Sequence, residues 1–305
     1  MDNADVPPIT VVISTRNRGD SVVRTIRTIL LNGYPRWELR IVDQSEDDLT
    51  ERALQPFFGD RRVRYIRSGT KGLSTGRNLG ISGAQSEFIA ITDDDCEVPT
   101  NWLRDLVAAL AVDSRIGIVY GSVLSGPHDR AVGFVPAYLP TKAYLAHSLG
   151  ELHLMGGISA CMGLRRSLWQ ALGGFDAMLG AGAPFKAAEE IDLSIRALLA
   201  GYVVCETPNV MVIHHGFRTW DQGRTLISGY LYGIGAMLVK HLKCGHWSVI
   251  QLLLRLVWRW TFRGPIVDLG HRPPRWLRLA AFVQGFAAGA TMPLDGRTGH
   301  YVCRR

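Results

Sequence analysis

Three consecutive aspartates, Asp93, Asp94 and Asp95, are the residues of this sequence best suited to chemistry, and they follow the apolar run FIAIT at 88–92. Carboxylates at positions i and i+2 after a strand can point to one side of an extended turn. Together with diphosphate oxygens they would form an oxygen shell suited to Mg²⁺ or Mn²⁺. Such a cation would neutralise charge on a departing nucleoside diphosphate. The alternative is a solvated turn in which Asp94 or Asp95 caps the next helix.

A second acidic cluster, EEID at 189–192, begins a predicted amphipathic helix. One of its carboxylates, Glu189, Glu190 or Asp192, could remove a proton from an acceptor hydroxyl. The alternative needs no catalytic role, because acidic side chains at a helix N-terminus are favoured by the helix dipole. A glycine-rich stretch at 173–182 precedes the cluster and suits a close-fitting loop near a substrate.

Two adjacent histidines, His214 and His215, follow the apolar run at 210–213. A histidine in that place could be a metal ligand, a base or a surface residue, and spacing alone leaves these alternatives open. The sequence contains no GxGxxG, Gly-Lys or HExxH motif. It therefore offers no support for a nicotinamide-dependent dehydrogenase, a P-loop kinase or a zincin protease.

The elements that must position these residues are predicted from apolar periodicity. Apolar or β-branched runs predict buried strands, alternating with amphipathic helices, at 9–14, 39–42, 63–66, 88–92 and 117–123. This alternation predicts an α/β fold with a mostly parallel sheet flanked by helices. Ligands bind beyond the carboxyl ends of such strands. Polar residues stand at those ends, where Thr15, Arg16 and Asn17 follow the first strand and Asp43 follows the second.

Length and composition fit one large globular core. The chain has 305 residues, of which 47% are hydrophobic and 20% are charged, values that exclude a disordered protein. Five scattered cysteines without a CxxC pair argue against a zinc knuckle or a disulfide scaffold, and they suit a reducing compartment. Residues 1–8 lack the basic and apolar regions of a signal peptide. We therefore expect a cytoplasmic protein.

The last third of the chain is basic and rich in tryptophan. Residues 214–305 hold 13 of the 34 Lys and Arg residues, 3 of the 27 acidic residues and five of the eight tryptophans. Residues 247–263 predict a helix that Gly264 and Pro265 end. Opposite its broad apolar surface lies a polar stripe with a four-residue period, formed by Gln251, Arg255, Arg259 and Arg263.

Such a helix suits the inner face of a membrane, with tryptophan at headgroup depth and arginine on anionic lipid. The equal alternative is a helix packed on the rest of the chain or on the second subunit of a homodimer. No uncharged stretch reaches the roughly 20 residues of a membrane span, so peripheral attachment is favoured. No recognised motif supports a nucleic-acid partner.

In order, the motifs of residues 8–220 resemble those of the family 2 glycosyltransferases with the GT-A fold. They are VVISTRNR at 11–18, IVDQS at 41–45, GLSTGRNLGI at 72–81, ITDDDC at 91–96, GGISACMGLRRSLWQALGGFD at 156–176 and AEEIDLSIRALLAGY at 188–202. The resemblance implies a Rossmann-like catalytic domain at 1–220 and a helical extension at 221–305. It also implies metal-assisted, inverting transfer from a nucleoside-diphosphate sugar to a hydroxyl of a glycan or lipid-linked acceptor.

The resemblance further implies roles for single residues. The nucleotide would be held by Thr15, Arg16, Asn17, Asp43, Arg77, Asp93 and Asp94. Asp95 would be the main ligand of Mn²⁺ or Mg²⁺, with Asp93 and His215, or else His214, as further ligands. Glu190 would be the base, with Glu189 and Asp192 as alternatives. The chain departs from the family in having Ser14, Arg16 and Gly76 where Pro, Tyr and Ala are usual, and Glu190 where Asp is usual.

Two other functions fit the same fold. One is a non-catalytic protein that binds sugar nucleotides or glycans, which the presence of both acidic clusters disfavours because binding alone needs no base. The other is a nucleotidyltransferase, which would need a glycine-rich pyrophosphate loop that STRNRGD at 14–20 does not provide. The transferase mechanism requires the aspartate triplet and the glutamate-rich helix to border a common cavity.

Overall fold

The computed structural model describes residues 6–252, 254–255 and 274–303. Its strands are β1 Ile9–Thr15, β2 Trp37–Asp43, β3 Val63–Arg67, β4 Phe88–Ile91, β5 Cys96–Glu97, β6 Ile116–Ser125, β7 Gly133–Phe134, β8 Tyr144–Ala146, β9 Met162–Arg165, β10 Val203–His214 and β11 Arg218–Thr219. Its helices are α1 Gly19–Leu30, α2 Leu49–Leu54, α3 Leu73–Ser82, α4 Trp102–Ala111, α5 Leu149–Leu152, α6 Arg166–Ala171, α7 Glu189–Leu199, α8 Trp220–Lys243 and α9 Arg275–Thr291.

The central sheet has the strand order β3-β2-β1-β4-β9-β6-β10-β5, with β8 beside β10. Strands β1 to β4 pair in parallel, as do β6 and β10. Strand β9 lies antiparallel between β4 and β6, and β5 and β8 run antiparallel to β10. The predicted α/β class with a mostly parallel sheet and a helical C-terminal extension is confirmed.

Apolar side chains on both faces of the sheet form its two cores, as expected of strands covered by helices on either side. Alternate residues of β1 show the arrangement, because Val11 and Ile13 belong to one core and Val12 to the other. This double burial fixes β1, so the polar residues that follow it are held at a defined place at the edge of the sheet.

Two details of the predicted caps are wrong. The Ser21 hydroxyl could accept a hydrogen bond from a free backbone N–H, so the sequence predicts Ser21 as the cap of the first helix. Helix α1 begins at Gly19, however, and Ser21 lies inside its first turn. The chain after Asp95 enters the short strand β5, and α4 begins only at Trp102. Neither Asp94 nor Asp95 therefore caps the next helix, and this simpler explanation of the aspartate triplet fails.

Helices α8 and α9 pack closely through glycines. A Cβ atom on Gly285 would lie 1.9 Å from the carbonyl oxygen of Tyr232, and one on Gly235 would lie 2.2 Å from that of Phe282. Met237 and Leu238 of α8 belong to the same core as β4 and α7. The extension is thus joined to the α/β layers by a continuous apolar core.

The predicted helix at 247–263 is described only in part. Val249 and Leu252 are buried in the main core, whereas residues 253 and 256–263 lie outside the described residues. Among the helices that the structure describes, none combines the length and the apolar character needed to cross a membrane.

Candidate active site

A cavity of about 1270 Å³ lies beyond the carboxyl ends of the central strands, and both acidic clusters line it. Asp93, Asp94 and Asp95 come from the segment after β4, and Glu189 and Glu190 come from the first turn of α7. This is the juxtaposition that the mechanism requires. The volume exceeds the roughly 300–1,000 Å³ of drug-sized ligand sites, which leaves room for a donor and an acceptor together.

The loop after β1 holds the aspartates from one side. Thr15 Oγ1 donates a hydrogen bond of 2.7 Å to Asp94 Oδ2. The Arg18 guanidinium lies 3.0 Å from Asp94 Oδ1 and 2.7 Å from Asp95 Oδ2. Sequence reasoning missed Arg18, although it directly follows the predicted binding residues Arg16 and Asn17. Thr15, Arg16 and Arg18 all line the cavity.

Two predicted nucleotide contacts, Asn17 and Asp43, do not line the cavity but brace its loops. Asn17 has a φ of +56°, and its backbone N–H donates a 2.7 Å hydrogen bond to Ser45 Oγ. Asp43 is fully buried, where it accepts a 2.7 Å hydrogen bond from Tyr65 Oη and contacts Arg67 at 3.2 Å. The Asn17 contact joins the loops after β1 and β2, and the Asp43 contacts tie the end of β2 to β3.

Arg77 links the two acidic clusters directly. Its side chain is 1% exposed and lies 3.0 Å from Asp93 Oδ1 and 3.1 Å from Glu189 Oε1. A third contact, 3.1 Å long, joins it to Ser159 Oγ. Arg77 therefore stands behind the cavity wall, where it sets the spacing between the aspartate triplet and α7.

The neighbouring aspartates Asp94 and Asp95 have opposite electrostatic environments. Burial raises the pKa of Asp94 to about 6, with Asp95 adding to the effect and Arg18 opposing it. Burial also acts on Asp95, but there the adjacent His214 and Arg18 outweigh it and hold the pKa at about 2. Asp95 is thus the carboxylate that stays ionised over a wide pH range, as a cation ligand must.

The structure places His214, rather than the favoured His215, beside Asp95. His214 Nε2 lies 3.1 Å from Asp95 Oδ1, whereas His215 Nε2 lies 3.0 Å from Glu97 Oε1. His214 is the last residue of β10 and lines the cavity, whereas His215 does not line it.

The donor set at this place fits a divalent cation. Ligand atoms of Asp95, Cys96 and His214 lie within 4.8 Å of one another. Among the described residues, none makes a well-aligned hydrogen bond to the buried Asp95 Oδ1. Carboxylate oxygen and imidazole nitrogen are suitable ligands for Mn²⁺. Cys96 is less suitable, because it is fully buried in the core and burial raises its thiol pKa, which leaves the sulfur protonated.

Glu190 has the environment of a proton acceptor. Its Oε2 atom is buried and has no hydrogen-bond partner among the described residues. Burial, with a further contribution from the Glu189 carboxylate, raises the pKa of Glu190 well above its ordinary value of 4.5. Tyr120, which also lines the cavity, donates a 3.2 Å hydrogen bond to the Glu190 carbonyl oxygen. This contact fixes the start of α7 without occupying the carboxylate.

Comparison with known proteins decides the family. The sequence profile described as "Glycosyl transferase family 2" matches residues 10–173, more than half of the chain. The chain belongs to this family. WcaA of Escherichia coli (strain K12), named for glycosyl transfer in colanic acid biosynthesis, is 26% identical over 240 residues, which cover 74% of this chain and 80% of WcaA.

Solved structures show that this family 2 glycosyltransferase has the GT-A fold. The mannosyltransferase PcManGT from Pyrobaculum calidifontis, in complex with GDP-Man and Mn²⁺, matches 96% of this chain and 78% of its own, with a TM-score of 0.60 and 19% identity. GalNAc-T7 with UDP, GalNAc and Mn²⁺ matches 75% of this chain and 48% of its own, with a TM-score of 0.56 and 19% identity.

Asp192, the third predicted candidate base of this glycosyltransferase, lies away from the cavity in a buried ionic network. Its side chain is 0% exposed and lies 2.5 Å from Lys240 Nζ, 2.8 Å from Arg196 and 3.0 Å from His241. Although burial opposes ionisation, Lys240 and Arg196 keep its pKa well below the ordinary value. Lys240 also pairs with the buried Asp176 at 2.8 Å. The geometry gives Asp192 the role of an anchor between α7 and α8.

Removing Lys240 from this network should destabilise the glycosyltransferase strongly. In a Lys240→Met variant Asp192 keeps Arg196 and His241, but the buried Asp176 loses its lysine partner, and an uncompensated buried charge costs about 3–5 kcal/mol. Urea denaturation followed by circular dichroism measures the loss. Lys71→Met is the matched control, because the pair of Lys71 with Glu46 is exposed and its removal should change the urea midpoint little. Equal midpoints for the two variants would show that the network does not stabilise the fold.

Proposed function

We propose that the protein is an inverting glycosyltransferase, assisted by a divalent metal, that moves a sugar from a nucleoside-diphosphate sugar to a hydroxyl of a glycan or lipid-linked acceptor. The observation that carries this proposal is the common cavity of the aspartate triplet and Glu190. Mn²⁺ in the complexes of the mannosyltransferase PcManGT and of GalNAc-T7 supports the metal.

In this proposal the donor lies at the strand ends. Thr15, Arg16, Asp93 and Asp94 would contact the nucleotide, while Asn17, Asp43 and Arg77 keep the surrounding loops and the two acidic clusters in place. Asp95 and His214 would hold Mn²⁺ or Mg²⁺, with Asp93 close by. The bound cation would stabilise the negative charge of the leaving diphosphate.

Glu190 would take the proton of the acceptor hydroxyl. The freed oxygen then forms a bond with the anomeric carbon while the bond to the diphosphate oxygen breaks, and the nucleoside diphosphate leaves with the bonding electrons. Attack from the face opposite the leaving group inverts the anomeric centre. A buried carboxylate whose pKa is raised is a stronger base than an exposed one, which favours Glu190 over a solvent-exposed acid.

The basic extension at 221–305 would attach the enzyme to the inner face of the membrane or join two copies. Exposed apolar side chains such as Trp247, Leu254 and Trp276, which are 68%, 63% and 68% exposed, support one of these contacts.

A nucleotide-binding screen tests the proposed function. We expect at least one of UDP, GDP and dTDP to bind with a 1:1 stoichiometry in isothermal titration calorimetry, and Mn²⁺ to tighten binding. With the matching sugar nucleotide and acceptor, products should be a glycoside of inverted configuration and a free nucleoside diphosphate. Binding without any product would instead favour a non-catalytic sugar-nucleotide-binding protein, and pyrophosphate release would favour a nucleotidyltransferase.

A further inference from the structure

The part of the cavity formed by α8 and α9 differs in character from the part formed by the strand ends. Ile227, Leu231 and Ile234 of α8 recur every three or four positions, and Leu279 and Phe282 of α9 do the same. These five residues, here called the apolar wall, line the cavity that also contains Glu190. The wall therefore borders the space available to an acceptor.

Positive charge stands next to the apolar wall. Arg275 and Arg278, from the first turn of α9, also line the cavity. Together with Leu279 and Phe282 they occupy positions i, i+3, i+4 and i+7, which share one face of a helix. The distance along α9 from Arg275 to Phe282 is about 10 Å at 1.5 Å per residue. One helix face thus offers cations at one end and hydrocarbon contact along the rest.

The aspartate triplet in the cavity has cationic partners other than Arg275 and Arg278. Asp93, Asp94 and Asp95 already have positive partners in Arg18 and Arg77. Arg275 and Arg278 lie on a different element, α9, which packs on α8. The cavity therefore has cationic side chains on two different elements, Arg18 after β1 and Arg275 and Arg278 on α9.

We propose that the acceptor is a lipid-linked saccharide, with its hydrocarbon chain on the apolar wall and its phosphate paired with Arg275 and Arg278. This inference rests on the proposed transferase function and narrows its acceptor. Although Tyr230 also lines the cavity from α8, the five side chains of the apolar wall offer a glycan no hydrogen bonds, and unpaired buried hydroxyls oppose binding. A hydrocarbon chain gains about fourfold in affinity for each buried methylene.

The apolar wall reaches the surface of the protein. Leu279 belongs to the wall and is nevertheless 64% exposed, and the neighbouring Trp276 is 68% exposed. A lipid chain longer than the wall could therefore leave the cavity past α9 while its saccharide stays near Glu190. A closed apolar pocket would not allow this.

Binding of alkyl phosphates to the full chain tests the proposal. Dodecyl phosphate, used below its critical micelle concentration, should bind in isothermal titration calorimetry at least about tenfold more tightly than hexyl phosphate, because the longer chain buries more methylenes. Leu279→Gln should weaken dodecyl phosphate binding at least fivefold. Leu277→Gln is the matched control, because Leu277 is a partly exposed leucine of the same helix that does not line the cavity.

The charged end has its own pair of variants. Arg275→Gln should weaken dodecyl phosphate binding but leave the binding of the uncharged dodecyl maltoside unchanged. Arg297→Gln, which removes an exposed arginine outside the cavity, should leave both unchanged. Equal effects of Leu279→Gln and Leu277→Gln, or equal affinities for the two alkyl phosphates, would overturn the proposal.

Nucleotide binding separates the two possible failures. If a nucleoside diphosphate binds with Mn²⁺ but dodecyl phosphate does not, the lipid-linked acceptor is wrong and the transferase proposal stands. If neither ligand binds, both proposals are wrong. If dodecyl phosphate binds in competition with the nucleoside diphosphate, the alkyl phosphate occupies the donor site, and the acceptor proposal fails.

Discussion

Replacing Glu190 with glutamine should lower kcat for glycosyl transfer by about 10²–10⁴-fold, the usual contribution of a general base. Glutamine has nearly the same shape but cannot take a proton from the acceptor hydroxyl. The fold should persist, because Glu190 Oε2 has no hydrogen-bond partner among the described residues for the substitution to break. Single-turnover kinetics with excess enzyme measure the chemical step, and calorimetry with the nucleoside diphosphate checks that donor binding survives.

Glu189→Gln is the matched control for that variant. Glu189 lies 3.1 Å from Arg77, and a glutamine oxygen could still accept this hydrogen bond. We therefore expect a smaller loss of kcat than in Glu190→Gln, together with weaker donor binding if Arg77 shifts. The opposite order of the two losses would make Glu189 the base.

The pH profile gives a second test of Glu190. Because burial raises its pKa above 4.5, the carboxyl group is protonated and inactive as a base below the raised pKa. The rate should therefore increase with pH. This rising limb of the pH profile should lie at pH values above the ordinary pKa range of glutamate. Glu190→Gln should remove this limb from the residual activity. A limb that persists unchanged in the variant would assign it to another group.

Much of the fold follows from local sequence patterns. The β-branched run of β1 and the polar residues after it predict both a buried parallel strand and a ligand site at its end, because both depend on neighbours in sequence. The antiparallel insertion of β9 between β4 and β6 was not predicted. Its place depends on contacts between residues far apart in the chain, which periodicity does not report.

The same distinction applies to the candidate site. Asp95 and Glu190 can be identified as candidate site residues from the local sequence, since each belongs to an acidic motif next to a predicted strand or helix. The pairing of Arg18 with Asp95, and of Arg77 with Glu189, depends on how separate elements meet. Asp192 could not be excluded as a base from sequence, because its partner Lys240 is 48 positions away on α8 and gives no local signal.

Loss of the cation ligands should have the other large effect. Asp95→Asn removes the carboxylate whose pKa of about 2 keeps it ionised, and His214→Ala removes the nitrogen 3.1 Å from it. Each variant should weaken Mn²⁺ binding by more than about 100-fold, since even groups that only support a ligand contribute 10–100-fold. Electron paramagnetic resonance of free Mn²⁺, titrated in the presence of the nucleoside diphosphate, measures this loss without any turnover.

His215→Ala is the matched control for the metal site. His215 neighbours His214 in sequence but contacts Glu97 and does not line the cavity. Its removal should leave Mn²⁺ affinity within about threefold, because its ring nitrogen lies 3.0 Å from Glu97 rather than beside Asp95. If His215→Ala lost Mn²⁺ while His214→Ala retained it, the roles of the two histidines would be reversed and Glu97 would replace Asp95 as the nearest carboxylate. Because the histidines are adjacent in sequence and face different carboxylates, one titration of each variant decides where the ion lies.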